Sequence, residues 1–505
     1  MENKKAKQTI FYIIFGIVYF IGVLVLVVSD WMHKSLGTTF KQFLYTIMYP
    51  LNGSDNSTVI KGFKECSLPI ILLLLPYIIY VVLDCKGVFS KKIKCTIFKK
   101  YRRIDLRLLL RRIVALVTSF VLIFSLFFAA KSMQVGEYIK SITQKTTIYE
   151  ERYIDPDSVQ ITAQGTPKNL VYIYLESMEN AYADASNGGV QPTNLIPNLT
   201  NIAKENISFS NSDAVLGGAY PAANTIWTMA ALFALNSGLP LSFPATNEGL
   251  SVDGKLAKGT TALGDILEKN GYVQEFMCGS DAVFGGRKNF FAGHGNYIIS
   301  DYYTAIEQGD IASDYHVFWG HEDNILYKRA KKSLTKLAAT GKPFNFTMLT
   351  VDTHFPDGYV CADCRTNHKV IAANVVECAD RQIAEFMNWC KKQSWYENTV
   401  FVIVGDHPRM DTSLVDGLEY QSRTMYNVII NADTPEKYKT KNRIFTQMDM
   451  FPTVLSAMGF SIEGERLALG TNLFSQKQTL AEEMGYWQLH TELGKYSKFF
   501  VSEFS

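Results

Sequence analysis

The chain is predicted to be an α/β protein, with N-terminal transmembrane helices followed by a large domain built on a central, mostly parallel sheet. Three observations lead there. Strongly apolar runs long enough to span a membrane are confined to residues 1–130. Beyond them, continuous apolar stretches of strand length recur, the pattern of strands buried on both faces. Several of these stretches end in polar residues able to carry chemistry, at the edge where open α/β sheets place their ligands.

Residues 10–29 are almost uncharged and of spanning length, residues 68–83 are shorter but strongly apolar, and residues 113–130 form a third such run. No small-residue cleavage motif follows the first run before Asp30 and Trp31, which argues against a cleaved signal peptide. Lys4, Lys5 and Lys7 precede the first span, and Lys91, Lys92, Lys94, Lys99, Lys100, Arg102 and Arg103 crowd the loop between the second and third. Lys and Arg concentrate on the cytoplasmic side of a membrane, so both segments are expected there. Three crossings then leave everything after Lys131 outside.

The expected organisation is an anchor over residues 1–130, a linker over 131–168 and a globular domain over 169–505. The linker is polar and carries Asp155-Pro156-Asp157 and Gly165-Thr166-Pro167 as breakers. A formal net charge of +2 favours no polyanionic partner, so nucleic acid is not expected. The globular part holds Cys278, Cys361, Cys364, Cys378 and Cys390. In an exported domain some of these are expected to form disulfides, with at least one left over. Cys361 and Cys364 have metal-knuckle spacing, but no second pair accompanies them, so a structural zinc is not expected.

Residues 169–175 form the first strand of the domain, which delivers Glu176 to the sheet edge. Next comes a helix-forming segment from Met229 to Leu235, closed by Gly238 and stopped by Pro240. Thr225 and Thr228 sit at its start. There, free amides and the helix dipole favour negative charge, which would help a hydroxyl towards alkoxide; the simpler role for such a Thr is the N-cap. A strand over 271–277 precedes a glycine-rich loop over 284–294, in which Arg287 and Lys288 suit a phosphate-bearing ligand or merely solvent. A strand over 344–350 leads to His354. Finally, the apolar run Val400 to Val404 ends in Gly405, expected to let the chain turn, and in Asp406 and His407, a good half-site for a divalent cation. Residues 447–459 are expected to form a turn and a short scaffold helix.

No P-loop, dinucleotide fingerprint or GxSxG elbow occurs, so nucleotide-driven chemistry is not expected. An acid, a hydroxyl at a helix start, a further His and an Asp-His pair, spread along the chain, fit a metal-activated nucleophile acting on phosphate.

The motifs Leu175-Glu-Ser177, Trp227-Thr228 with Ser237-Gly-Leu-Pro240, Thr350-Val-Asp-Thr-His-Phe-Pro-Asp-Gly-Tyr359 and Val404-Gly-Asp-His407 together resemble a known family. It is that of the membrane-anchored phosphoglycerol and phosphoethanolamine transferases of the sulfatase/alkaline phosphatase superfamily. The likeness is strongest to the phosphoglycerol transferase I group of osmoregulated periplasmic glucan synthesis and weaker to lipoteichoic acid synthase. It covers residues 169–474 and implies a sulfatase-like fold. The resemblance further implies that Glu176, Asp406, His407 and the nucleophilic threonine share one divalent cation, manganese first and magnesium or zinc as alternatives. Spacing to Ser237-Gly238 favours Thr228 as nucleophile, with Thr225 the runner-up. His354 would contact phosphate or leaving group, and Arg287 and Lys288 the substrate, although glycines replace part of the aromatic pattern of lipoteichoic acid synthase in that loop.

The implied reaction transfers phosphoglycerol from phosphatidylglycerol to a glycan or polymer acceptor through a phospho-threonine, at a bacterial cytoplasmic membrane with the domain facing the periplasm or exterior. A phosphoethanolamine transferase or a sulfatase/phosphodiesterase is the alternative of the same fold. The C/S-x-P-x-R motif of true sulfatases is missing around Thr228. A non-catalytic membrane sensor is the alternative of another class, which a broken metal set would mark.

Overall fold

The structure is a computed structural model and describes residues 2–48, 56–97, 100–242, 251–252 and 254–504. Lys99 of the basic loop lies outside the described residues, as do the side chains of Lys4, Lys5, Lys94, Lys100 and Arg102. The chain divides into two compact units. One comprises residues 1–43 and 56–139, the other residues 44–55 and 140–505.

The first unit is built from α1 (Glu2–Leu36), α2 (Asn56–Cys85) and α3 (Leu106–Ser132). All three are long and apolar enough to cross a membrane, and their outward faces carry exposed Ile, Leu, Val and Phe, as lipid-facing surfaces require. The protein is membrane-anchored. At the end of α2 the buried carboxylate of Asp84 accepts from Arg107, from Arg111 at 3.3 Å and from Tyr12 at 2.5 Å, which ties the three helices together at one point. Asp105 caps α3 by accepting from Leu108 N at 3.2 Å.

The second unit is a three-layer α/β domain. Its sheet comprises β1 (Asn169–Leu175), β2 (Val273–Cys278), β3 (Ile298–Ser300), β4 (Phe344–Leu349), β5 (Thr399–Gly405) and β6 (Asn427–Ile430), in the order β6-β5-β1-β4-β2-β3. Only β6 runs antiparallel to its neighbour. Strand alternation divides the core. Tyr172, Tyr174, Val402 and Val404 face one layer, in which α4 (Thr228–Ser237) is buried almost all round. Ile173, Leu175, Phe401 and Ile403 face the other, against α5 (Asp323–Ala339) and α6 (Ile371–Cys390). Each such aliphatic side chain removed from water contributes roughly 1.5–3 kcal/mol, so the central strands, buried on both faces, anchor both core layers. As expected, Gly238 closes α4 in the left-handed conformation, at φ 67°.

Residues 140–168, read above as linker, pack onto the domain. Tyr149 is buried, and Ile161–Ala163 pairs antiparallel with Phe460–Ile462. The stretch expected as a loop over 284–294 is largely helical, with a short helix at Arg287–Gly293. Gly405 corrects another expectation. It remains in the strand, and a Cβ there would lie 1.7 Å from Met178 O, so the glycine serves close backbone approach rather than a turn. The expected disulfides are not formed: Cys278, Cys361, Cys364, Cys378 and Cys390 all carry free sulfurs. The reason is placement, since Cys278 and Cys390 are buried singly in the two core layers while the other three converge on one point.

Candidate active site

Sheet register builds the site. β5 pairs with β1 so that Gly405 stands opposite Leu175, and the next residues, Asp406 and Glu176, leave the sheet edge side by side. Both carboxylates and the His407 imidazole are buried, with ligand atoms within 4.8 Å of one another. Glu176 Oε1 accepts from Ser177 Oγ at 2.7 Å, while its Oε2 accepts from the Thr228 hydroxyl at 3.1 Å. Asp406 Oδ1 is fixed by the amides of Ser177 and His407, each at 2.8 Å. His407 donates from Nδ1 to Pro408 O at 2.9 Å, which leaves the Nε2 lone pair facing Thr228 Oγ1 at 3.3 Å, Asp406 Oδ2 at 3.4 Å and Glu176 Oε1 at 3.6 Å. Four donors thus converge from three points of the chain.

Burial and mutual charge set the protonation of this group. Burial alone would raise the Glu176 carboxyl, but the His354 and His407 imidazoles and the Ser177 and Thr228 hydroxyls outweigh it and hold it below the ordinary range. Asp406 goes the other way. Burial and the neighbouring Glu176 charge push it up to about 7, against the His407 ring and two backbone amides. Burial would lower His407, yet the Asp406 and Glu176 carboxylates raise it on balance. His354 is lowered by burial, with Glu176 opposing.

Thr228 is the first residue of α4, so its hydroxyl sits beside unpaired helix amides and is partly exposed. Thr225 is fully buried one turn earlier. Its hydroxyl lies 2.9 Å from Ala222 O and 3.0 Å from Gln447 Oε1. The two threonines therefore part company: Thr228 joins the acid-imidazole group and Thr225 joins Gln447. His354 follows β4 on the loop beside Glu176, bonded through Nδ1 to Phe355 O at 2.8 Å and packed against Trp319. Trp319 in turn meets Phe284, whose ring lies under the Arg287 guanidinium. Arg287 is buried and spends its Nε and Nη2 on Phe284 O and Asp281 O, at 3.0 and 2.7 Å. Lys288 is exposed.

Residues 168–460, more than half of the chain, match the sulfatase family. The chain belongs to that family. Among curated proteins, the chain is similar to phosphoglycerol transferase I of Xanthomonas campestris, 29% identical over 298 residues, which cover 58% of this chain and 41% of that protein. It is also similar to phosphoglycerol transferase I of Salmonella choleraesuis, 31% identical over 323 residues, covering 62% of this chain and 40% of that protein. The matches thus span about two fifths of those relatives' length. A solved structure of an alkaline phosphatase superfamily protein from Vibrio parahaemolyticus aligns at TM-score 0.49 and 23% identity, covering 65% of this chain and 76% of that chain.

Within this sulfatase-family domain the residues fit a divalent cation. Asp406 Oδ2 is buried with no hydrogen-bond partner, a cost of about 1–3 kcal/mol unless something else satisfies it. The donor set of two carboxylates, a hydroxyl and one imidazole is oxygen-rich, as cations of the manganese and magnesium type prefer. Glu176, Asp406 and His407 would hold the ion.

Sequence reasoning missed the residues that hold these side chains in place. Arg409 is fully buried; it donates to Thr353 O at 3.0 Å, to Pro356 O and to Asp411 at 2.7 Å, and so ties the His354 loop to the segment after His407. Arg423 pairs with buried Glu179 and also donates to Arg409 O at 2.7 Å. Gln447, assigned above to scaffold, donates to Thr225 O at 3.2 Å and Asp406 O at 3.4 Å. A basic residue two positions after Asp-His was the one available signal for Arg409; nothing local marks Gln447.

Proposed function

We propose that the protein transfers phosphoglycerol from phosphatidylglycerol to the hydroxyl of an extracytoplasmic glycan or polymer, with Thr228 as the covalent carrier. The observation that carries this reading is the Thr228 hydroxyl at a helix start, 3.1 Å from Glu176 Oε2 and 3.3 Å from His407 Nε2. The name shared by the curated relatives supports the choice of phosphoglycerol. A divalent cation, manganese first, with magnesium or zinc as alternatives, would supply Lewis acidity at the threonine oxygen and the phosphoryl oxygens.

The residues then divide the work. Glu176 and His407 orient Thr228, and Glu176 Oε2 takes its proton as Oγ1 bonds to phosphorus. The bond from phosphorus to the diacylglycerol oxygen breaks, and diacylglycerol leaves with a proton. His354 faces that departure and guards the leaving oxygen, while Arg287 and Lys288 mark the loop that receives the head group. In the second half the acceptor hydroxyl attacks the phospho-threonine, and Thr228 recovers its proton. The α4 amides stabilise charge on Thr228 in both halves. A membrane anchor suits a lipid donor, which a tethered enzyme meets at the bilayer surface without extracting it. The distribution of Lys and Arg supports a domain outside the cytoplasm.

Incubation of the purified full chain with phosphatidylglycerol, followed by peptide mass spectrometry, tests this reading. A phosphoglycerol adduct on Thr228 with release of diacylglycerol is expected. An adduct formed only from phosphatidylethanolamine would instead assign a phosphoethanolamine transferase.

A further inference from the structure

Cys361, Cys364 and Cys378 form a second cluster of ligating side chains, which the transfer reaction does not use. Cys361 and Cys364 flank a turn in which Cys364 N donates to Cys361 O at 3.1 Å, directly after the loop that carries His354. Cys378 reaches the same point from α6. Cys361 Sγ lies 3.6 Å from Cys364 Sγ and 3.7 Å from Cys378 Sγ. These separations are well beyond the S–S bond of about 2.05 Å. They match instead the edge of a tetrahedron around an ion with metal–sulfur bonds of about 2.3 Å, which is roughly 3.8 Å.

We infer that Cys361, Cys364 and Cys378 bind a thiophilic divalent cation, of which zinc is the type, and that this ion staples the His354 loop to α6. No His, Asp or Glu ligand atom joins the three sulfurs among the described residues, so the fourth position is left to water. The surroundings suit thiolates. Gln382 Nε2 approaches Cys361 Sγ at 3.7 Å, and Arg381 donates to Asp363 O at 3.0 Å beside it. A bound cation would take the three sulfurs as thiolates and release their protons. Soft sulfur ligands keep this site chemically separate from the oxygen-rich group at Glu176.

The full chain, purified in detergent and loaded with zinc, should protect all three cysteines from alkylation until a strong chelator is added, with no need for reductant. Cobalt in place of zinc should give a thiolate-to-metal charge-transfer band. That band should persist in Asp406→Asn, which lacks a ligand of the proposed catalytic cation, and should vanish in Cys378→Ser. Two cysteines that alkylate only after reduction, whatever the chelator, would mean a disulfide and overturn the inference. So would three cysteines that alkylate freely in the zinc-loaded protein, or a cobalt complex without the band. Failure of the transfer reaction would leave all these readouts unchanged, because they do not pass through Thr228.

Discussion

Gln447 Oε1 lies 3.0 Å from the Thr225 hydroxyl, and this contact separates two threonines that the sequence leaves nearly equivalent. Thr225 is held in the core by it, whereas Thr228 is left to the acid-imidazole group. Because Gln447 also reaches Asp406 O, the polar core under Thr225 continues to the strand end that carries the proposed ligands.

The first prediction follows from that separation. Thr228→Ala should keep the fold and abolish both adduct formation and diacylglycerol release. Thr225→Ala should retain turnover but lose about 1–3 kcal/mol of stability, since it leaves buried Gln447 Oε1 with only the Ala222 amide at 3.4 Å. Denaturant titration and a lipid-release assay check both; near-normal turnover in Thr228→Ala would remove it as nucleophile.

The second concerns metal and pH. Asp406 keeps its proton up to about 7 and His407 is raised above its ordinary value, so in the metal-free protein a cation must displace protons at both as pH falls. Affinity for manganese should therefore be highest above pH 7 and weaken roughly tenfold per unit below it for each proton displaced. Calorimetric titration at a series of pH values measures the slope. An affinity flat with pH, or full metal occupancy in Asp406→Asn, would place the cation elsewhere.

Arg409 provides the third. Arg409→Met removes three buried donors and leaves Asp411, Thr353 O and Pro356 O without them. A loss of about 3 kcal/mol is expected, together with a lower kcat, because the loop that presents His354 loses its tie to the Asp-His segment. A variant of unchanged stability and kcat would show that the loop is held by other means.

Gly405→Ala is the fourth. A turn glycine would tolerate alanine at φ below zero, but here the added Cβ would meet Met178 O at 1.7 Å. The clash should cost about 1–3 kcal/mol or more and misplace Asp406, so melting temperature and metal occupancy should fall together. An unchanged melting temperature would return Gly405 to a simple turn role.

The fifth is topology. Reporter fusions should place Gly87 in the cytoplasm and the end of the chain outside, and a cytoplasm-specific signal from a fusion after Ser505 would reverse the orientation.

The sequence by itself determined the elements whose cause is local. Apolar runs as long as α1, α2 and α3 can only be solvated by lipid or by one another, and strands as continuously apolar as β1 and β5 must be covered on both faces. Glu176, Asp406 and His407 were legible for the same reason, since each stands one or two residues beyond such a strand. What needed the tertiary structure was everything set by contacts between distant segments. The register of β5 on β1 put Asp406 beside Glu176. The contacts of Gln447 and Arg409 depend on segments 222 and 56 residues away, and no local pattern encodes them. Residues 140–168 look like linker because their polarity is read locally, yet Tyr149 and the strand at Ile161–Ala163 find their cover near the far end of the chain. The cysteines show the same limit. Spacing revealed Cys361 and Cys364, but Cys378 joins them only because α6 folds back over the loop, which long-range packing decides and linear order does not record.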